Sequence, residues 1–214
     1  MAGSRLARKW KLKLPPNKSL ALPRPDLSAQ EALALILGNA GEILRQQPIW
    51  VLATAGGANK RGRLIEPFAW ELRLFAIEPD RYVQVFLSFT GQLTFAYQKL
   101  QVSLPVAADL TRSWIDSTAA ADSILPEPLP AGLTDRYTLF CSLGAHDQHG
   151  IVWNVDRISQ DPTTNMMVRH KFLLNAETKI LIGEAVTRHK SGVLIESQAR
   201  ERLRLGEWVD TLRG

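Results

Sequence analysis

The 214-residue chain has one cysteine, Cys141. That excludes an internal disulfide and a cysteine-rich zinc finger, and it fits a reducing compartment or an assembly without cross-links. No run of about 18 apolar residues occurs, so no membrane-spanning helix is expected. The mean hydropathy, −0.09, agrees. No apolar stretch follows the early basic residues, which argues against a secretory signal. There is no G-x-S-x-G elbow. The glycine-rich GGANKRGR (56–63) lacks the G-K-[ST] ending and precedes a strand, so it is not a phosphate loop. No internal repeat or low-complexity segment stands out.

Acidic residues are missing from the first 25 positions; the first is Asp26. The same stretch holds Arg5, Arg8, Lys9, Lys11, Lys13, Lys18 and Arg24. The other 189 residues carry 19 basic and 21 acidic side chains, a balance of −2 against +5 for the whole chain. A near-neutral body with a positive arm points to a polyanion partner, nucleic acid or an anionic membrane. Three readings compete for the arm: a solvated tail, a transit peptide and a nucleic-acid arm that neutralises phosphates. Serine is scarce, and Pro15, Pro16, Pro23 and Pro25 would break a long amphipathic helix, which weighs against a transit peptide.

The hydropathy pattern divides the chain into an arm (1–25), a connecting helix (26–48) and a β domain (49–214). Ser28 followed by Glu31 forms a capping box, and Leu33, Ile36, Leu37, Ala40, Ile43 and Leu44 recur at helical spacing. One helix of about 18 residues is expected, weakened at Gly38 and Gly41 by about 1 kcal/mol each and stopped by Pro48. IWVLATA (49–55) reads as a buried strand. LIEPFAWELRLFAI, YVQVFLSF (82–89) and LTFAYQKLQVSL (93–104) follow, the last with a phase slip that predicts a bulge near Gln98. Residues 105–135 form a proline-rich excursion with a short helix around 108–119. Five strands follow: RYTLFCSL (136–143), GIVWNVDRI (150–158), NMMVRHKFLL (165–174), KILIGEAV (179–186) and GVLIES (192–197). The tail is expected to be a short helix or frayed. Eight or nine strands without intervening helices predict a mainly β fold, an antiparallel sandwich with a jelly roll as its first form. An immunoglobulin-like sandwich or an α+β fold fits the same pattern.

The candidates for chemistry are few. His146 and His149, in HDQH, have metal-ligand spacing, but no third ligand is near in sequence, and an ordinary hairpin explains them better. Cys141 alternates with Leu139 and Leu143 and His170 lies on an apolar strand face, so both read as core. Trp50, Trp70 and Trp153 fall inside strands and read as core rather than base-stacking platforms. No catalytic residue, metal or cofactor is expected, and the chain reads as a non-enzyme. Lys60, Arg61 and Arg63, in the glycine-rich loop, join the arm as candidate RNA contacts.

The arm MAGSRLARKWKLKLPPNK, the helix and the strands from IWVLATA to GVLIES resemble the plan of coat proteins from small plus-strand RNA plant viruses, including the ourmiavirus type. The likeness covers the whole chain in plan and carries no diagnostic motif. It implies a capsid subunit, found in virions and host cytoplasm, that self-associates into a large homo-oligomer. Single-stranded RNA is packaged through the arm, and no membrane is involved. The arm is less dense in arginine than many such arms. The alternatives are a monomeric nucleic-acid-binding accessory protein and a soluble enzyme with an N-terminal targeting segment.

Overall fold

The computed structural model describes residues 12–76, 81–99, 107–110, 113–202 and 208–210. The strands are β1 (Lys18–Ser19), β2 (Ile49–Ala55), β3 (Ala69–Phe75), β4 (Arg81–Ser88), β5 (Gln92–Lys99), β6 (Thr138–His146), β7 (Gly150–Gln160), β8 (Met167–Asn175), β9 (Leu181–Lys190), β10 (Val193–Arg202) and β11 (Trp208–Asp210). The helices are α1 (Ala29–Asn39), α2 (Glu42–Arg45) and α3 (Ser117–Ile124).

The body is mainly β and antiparallel, with an N-terminal helix, as the hydropathy pattern predicts. Its connectivity differs from jelly-roll alternation between two sheets. One ladder runs β1-β5-β4-β3-β2-β6-β7-β8-β9-β10-β11, and most neighbours are also sequential. Short turns make this meander the most direct way to pair successive antiparallel strands. The described part of the tail is strand rather than helix: residues 198–202 continue β10, and β11 pairs with its end, Arg200 opposite Asp210.

The order β5-β4-β3-β2-β6-β7-β8-β9 reads as two four-stranded meanders joined at their first strands. β2 and β6 pair antiparallel through Val51↔Gly144, Leu52↔Leu143 and Ala53↔Ser142. Each first strand is preceded by a helix, α1 or α3, so the halves relate by a rough twofold through this seam. The helices bury equivalent positions: Ala29, Ala32, Leu33 and Ile36 in α1, and Ser117, Ala120, Ala121 and Ile124 in α3. The first two positions are small in both helices, and the fourth is isoleucine in both. Each half also locks its helix with a tryptophan from its second strand. The Trp70 indole N–H donates to the Leu27 carbonyl at 2.9 Å, and that of Trp153 to the Ile115 carbonyl at 2.8 Å. Leu27 and Ile115 each stand one residue before their helix cap.

The two helix N-termini meet near the seam, where like dipole ends would oppose one another. Asp116 offsets this by capping both: its Oδ1 accepts from the Ser117 N–H at 2.7 Å and the Gln30 N–H at 3.0 Å. Ser117 Oγ accepts from the Ala29 N–H at 3.0 Å. The Ser28–Glu31 capping box is present. The expected single helix breaks at Gly41, whose positive φ of 77° starts α2. In the excursion, the short helix begins at Ser117, later than the spacing around 108–119 indicates.

The covered sheet face carries Leu52, Trp70, Leu72, Val85, Leu87, Leu139, Cys141, Leu143, Trp153, Val155, Phe172 and Leu174. These strand residues pack with both helices into one cluster. Burying so much aliphatic and aromatic surface supplies the dominant stabilising term.

Candidate functional site

Side chains alternate across a strand, so the residues between the core positions form a second face. Thr94, Phe86, Glu71, Ala53, Ser142, Asn154 and Leu173 make one row of cross-strand partners on it, from β5 to β8. Among the described residues neither α1 nor α3 packs there, since both lie over Trp70 and Trp153 on the opposite side.

A bulge shapes this open face. Ile49 pairs with Leu74 and Val51 with Arg73, leaving Trp50 as the extra residue. Bulges re-aim side chains, and this one turns Trp50 outward beside Val51. Its ring stacks on Phe75 (6.1 Å, 16°) and meets Tyr82 edge-on (5.2 Å, 89°). The Arg73 guanidinium lies 5.4 Å from the centre of Trp50 and 5.8 Å from that of Tyr82. Glu71 bonds Arg73 Nε and accepts from Gln84 Nε2 at 2.7 Å. The hydrogen bond to Glu71 raises the Arg73 pKa against the opposing effect of burial. The cluster is therefore a half-buried aromatic patch around a cation held in place. Trp70 and Trp153 are core as expected; Trp50 is not, and the bulge is the reason.

On the covered face at the far end, a cleft of about 180 Å³ lies between the 128–130 loop and β8, β9 and β10. At its floor His170 Nε2 is 3.0 Å from Glu184 Oε2. Burial lowers the His170 pKa; Glu184 opposes this, while Arg157 and Arg200 reinforce it. The neutral ring donates Nε2–H to the carboxylate. His170 Nδ1 and Arg157 Nε are buried without partners. Arg157, the cross-strand neighbour of His170, reaches the end of α3, donating to Glu127 O at 2.8 Å and to Ile124 O. This buried cation satisfies carbonyls at a helix C-terminus.

The sequence-predicted basic residues are dispersed. Arg5, Arg8, Lys9 and Lys11 lie outside the described residues. The arm is not free throughout: Lys18 and Ser19 pair with Leu93 and Gln92, and Asn17 Oδ1 accepts from the Phe95 N–H at 3.0 Å. Sheet-edge N–H and C=O groups need partners, and this segment supplies them. Lys13 is exposed. Arg24 and Arg63 both pair with Glu31, at 3.1 and 3.0 Å, and serve the α1 cap. Although burial opposes it, the Ser28 N–H and these two arginines hold the Glu31 carboxyl below its usual range. Lys60 sits 5.1 Å from the Tyr137 ring centre, and Arg61 is exposed. Gly62 explains the glycine-rich loop: its φ is +69°, and a Cβ there would lie 2.2 Å from the Ser117 carbonyl oxygen.

His146 and His149 flank a hairpin turn, with ring centres 4.9 Å apart. Among the described residues no group of three metal-ligating side chains forms. Cys141 is 2% exposed, and burial pushes its thiol up to about 12, which leaves it unreactive. The bulge expected near Gln98 does not occur within the described part of β5, which pairs regularly with β4 to Lys99; residues 100–104 lie outside it. IWVLATA carries no signal for the Trp50 bulge: strict alternation puts Trp50 on the face of buried Leu52, and only the pairing with β3 turns it out.

No family model matches the chain, and no curated protein matches it. A crystal structure from Clostridium difficile 630 that carries a lipoprotein designation is similar in fold. It is 10% identical, with a TM-score of 0.51 over 77% of this chain and 94% of that one.

Proposed function

We propose that the protein is a non-enzymatic binder of single-stranded RNA, with phosphates held by the basic N-terminal residues and bases stacked on the open sheet face. The observation that carries this reading is the outward Trp50, grouped with Phe75, Tyr82 and Arg73. Aromatic rings beside an arginine form the platform that single strands use, and each stacked base is worth about 1–3 kcal/mol. Lys171, on the same face in the second half, adds positive charge in the row of Asp156, whose own charge is paired with Arg169. In the coat-subunit version of this reading, RNA binding is accompanied by self-assembly.

The test is RNA binding measured against salt, with size-exclusion absorbance at 260 and 280 nm. Trp50→Ala is expected to weaken binding about tenfold or more at every salt concentration. Alanine at Arg5, Arg8, Lys9, Lys11 and Lys13 should instead flatten the salt dependence, by about 0.7 in slope per lost phosphate contact. Unchanged affinity in Trp50→Ala rejects the stacking face. A large species rich in 260 nm absorbance identifies a coat subunit, whereas a monomeric complex identifies an accessory protein.

A further inference from the structure

β9 and β10 join at Ser191–Gly192, a two-residue turn with φ of 50° and 81°, so that Val193 faces Lys190. Val193, Leu194 and Ile195 follow at once and are 63%, 53% and 58% exposed. Met167, the partner of His189 on β8, is 43% exposed at the same end. Val193 and Leu194, paired with Lys190 and His189, lie on opposite faces, and Ile195 is the extra residue at the register shift between Leu194 and Glu196. The apolar surface therefore runs round the hairpin end instead of forming a patch on one side.

That shape discriminates between partners. A protein docked on one face of the ribbon would leave the other face in water. A bilayer interface surrounds an inserted tip and covers both. Lys190, exposed beside the turn, lies where a lipid phosphate would meet it. The root of the hairpin is fixed: Arg188 pairs with Glu196 at 2.7 Å and donates to the Ala131 carbonyl at 2.9 Å.

We propose that the 190–195 hairpin tip inserts into the interface of an anionic lipid bilayer, with Val193, Leu194 and Ile195 among the acyl carbons and Lys190 at the headgroups. The expectation of no membrane partner came with the coat-protein resemblance, and the lack of a spanning run does not bear on interfacial insertion. The basic N-terminal residues add attraction to the same surface, and the test has to separate the two.

Full-length, ribonuclease-treated protein is co-sedimented with phosphatidylcholine vesicles containing phosphatidylserine, at low and high salt. High salt screens the N-terminal charges, so binding that persists there reports the tip. Replacing Val193, Leu194 and Ile195 together by serine is expected to lower the high-salt partition at least about tenfold. The melting temperature should stay unchanged, because these side chains are already in water. Leu194→Trp should give a blue-shifted indole component that brominated lipids quench. Serine-variant binding equal to the parent's, binding abolished by salt alone, or no lipid-dependent shift in Leu194→Trp would each overturn the proposal. Loss of salt-resistant binding with RNA affinity retained supports it and separates the tip from the RNA site.

Discussion

The two halves of the sheet share a scaffold and differ in what they hang on it. Each runs helix, then four antiparallel strands, with a tryptophan from the second strand bonded to the carbonyl before the helix cap. In the first half the distinctive chemistry is outside: a bulge turns Trp50 onto the open face beside Arg73. In the second half it is inside and at the end. Arg157, His170 and Glu184 form a buried polar group under the covered face, and β9–β10 lengthens into an apolar tip. The shared parts are those that close the core. The divergent parts lie where the core does not constrain the side chain, or where a buried charge finds helix carbonyls to satisfy it.

Removing the shared lock should produce the largest effects. Trp70→Ala and Trp153→Ala are each expected to cost about 3–5 kcal/mol in urea unfolding. The phenylalanine variants isolate the lost indole bond at about 1 kcal/mol or more. Tolerance of either alanine would mean that the two tryptophans are not equivalent.

The caps offer a finer contrast. Asp116 serves both helices and Ser28 only one, so Asp116→Ala should cost about 2 kcal/mol and Ser28→Ala about 1 kcal/mol. Equal losses on thermal unfolding would show that the cross-helix bond from Gln30 contributes nothing.

The smallest effect concerns the buried polar group of the second half. Burial holds the His170 pKa in the folded state below the ordinary value of 6.5. Below pH 6.5 the unfolded chain therefore takes up a proton that the folded chain does not, and stability falls as pH drops from there towards the folded-state pKa. Above that window the contribution is fully present. Denaturant midpoints at pH 7.5 and 5 should differ in this direction, and His170→Gln should shrink the difference. A parent protein equally stable at both values would show that His170 is not held neutral by its surroundings.

Much of the scaffold was legible in the sequence. IWVLATA became β2 at its expected bounds, because β-branched and aliphatic residues leave little choice between turn signals. Ser28 and Glu31 announced the start of α1. The duplication was present but faint. LSAQEALALIL (27–37) and IDSTAAADSIL (115–125) place an apolar residue, a cap, four buried positions and Ile-Leu in the same order. AWELRLF and VWNVDRI share only the tryptophan and an aliphatic two places on. So few positions are constrained in each half that the repeat does not stand out from background. The break at Gly41 is not legible from helix propensity, which counts glycine only as a weak helix former; it comes from glycine's freedom to take positive φ.

The candidate site was less legible because it depends on pairing. Nothing in the sequence near Trp50 says that Val51 will face Arg73 while Ile49 faces Leu74, yet that register decides which way the indole points. Arg24 and Arg63 read from the sequence as RNA contacts, but both pair with Glu31, which the fold places between them.

By itself the sequence determined the mainly β, antiparallel character, the position of the first helix and the concentration of charge at the N-terminus. These follow from local periodicity, capping and composition. Only the tertiary structure decided that the strands form one meandering sheet doubled about the β2–β6 seam, that Trp50 faces outward, and that the arm's Lys18 and Ser19 complete a sheet edge. Such outcomes depend on which strands meet and in what register, a long-range choice set by the packing of the whole core and not by any single segment.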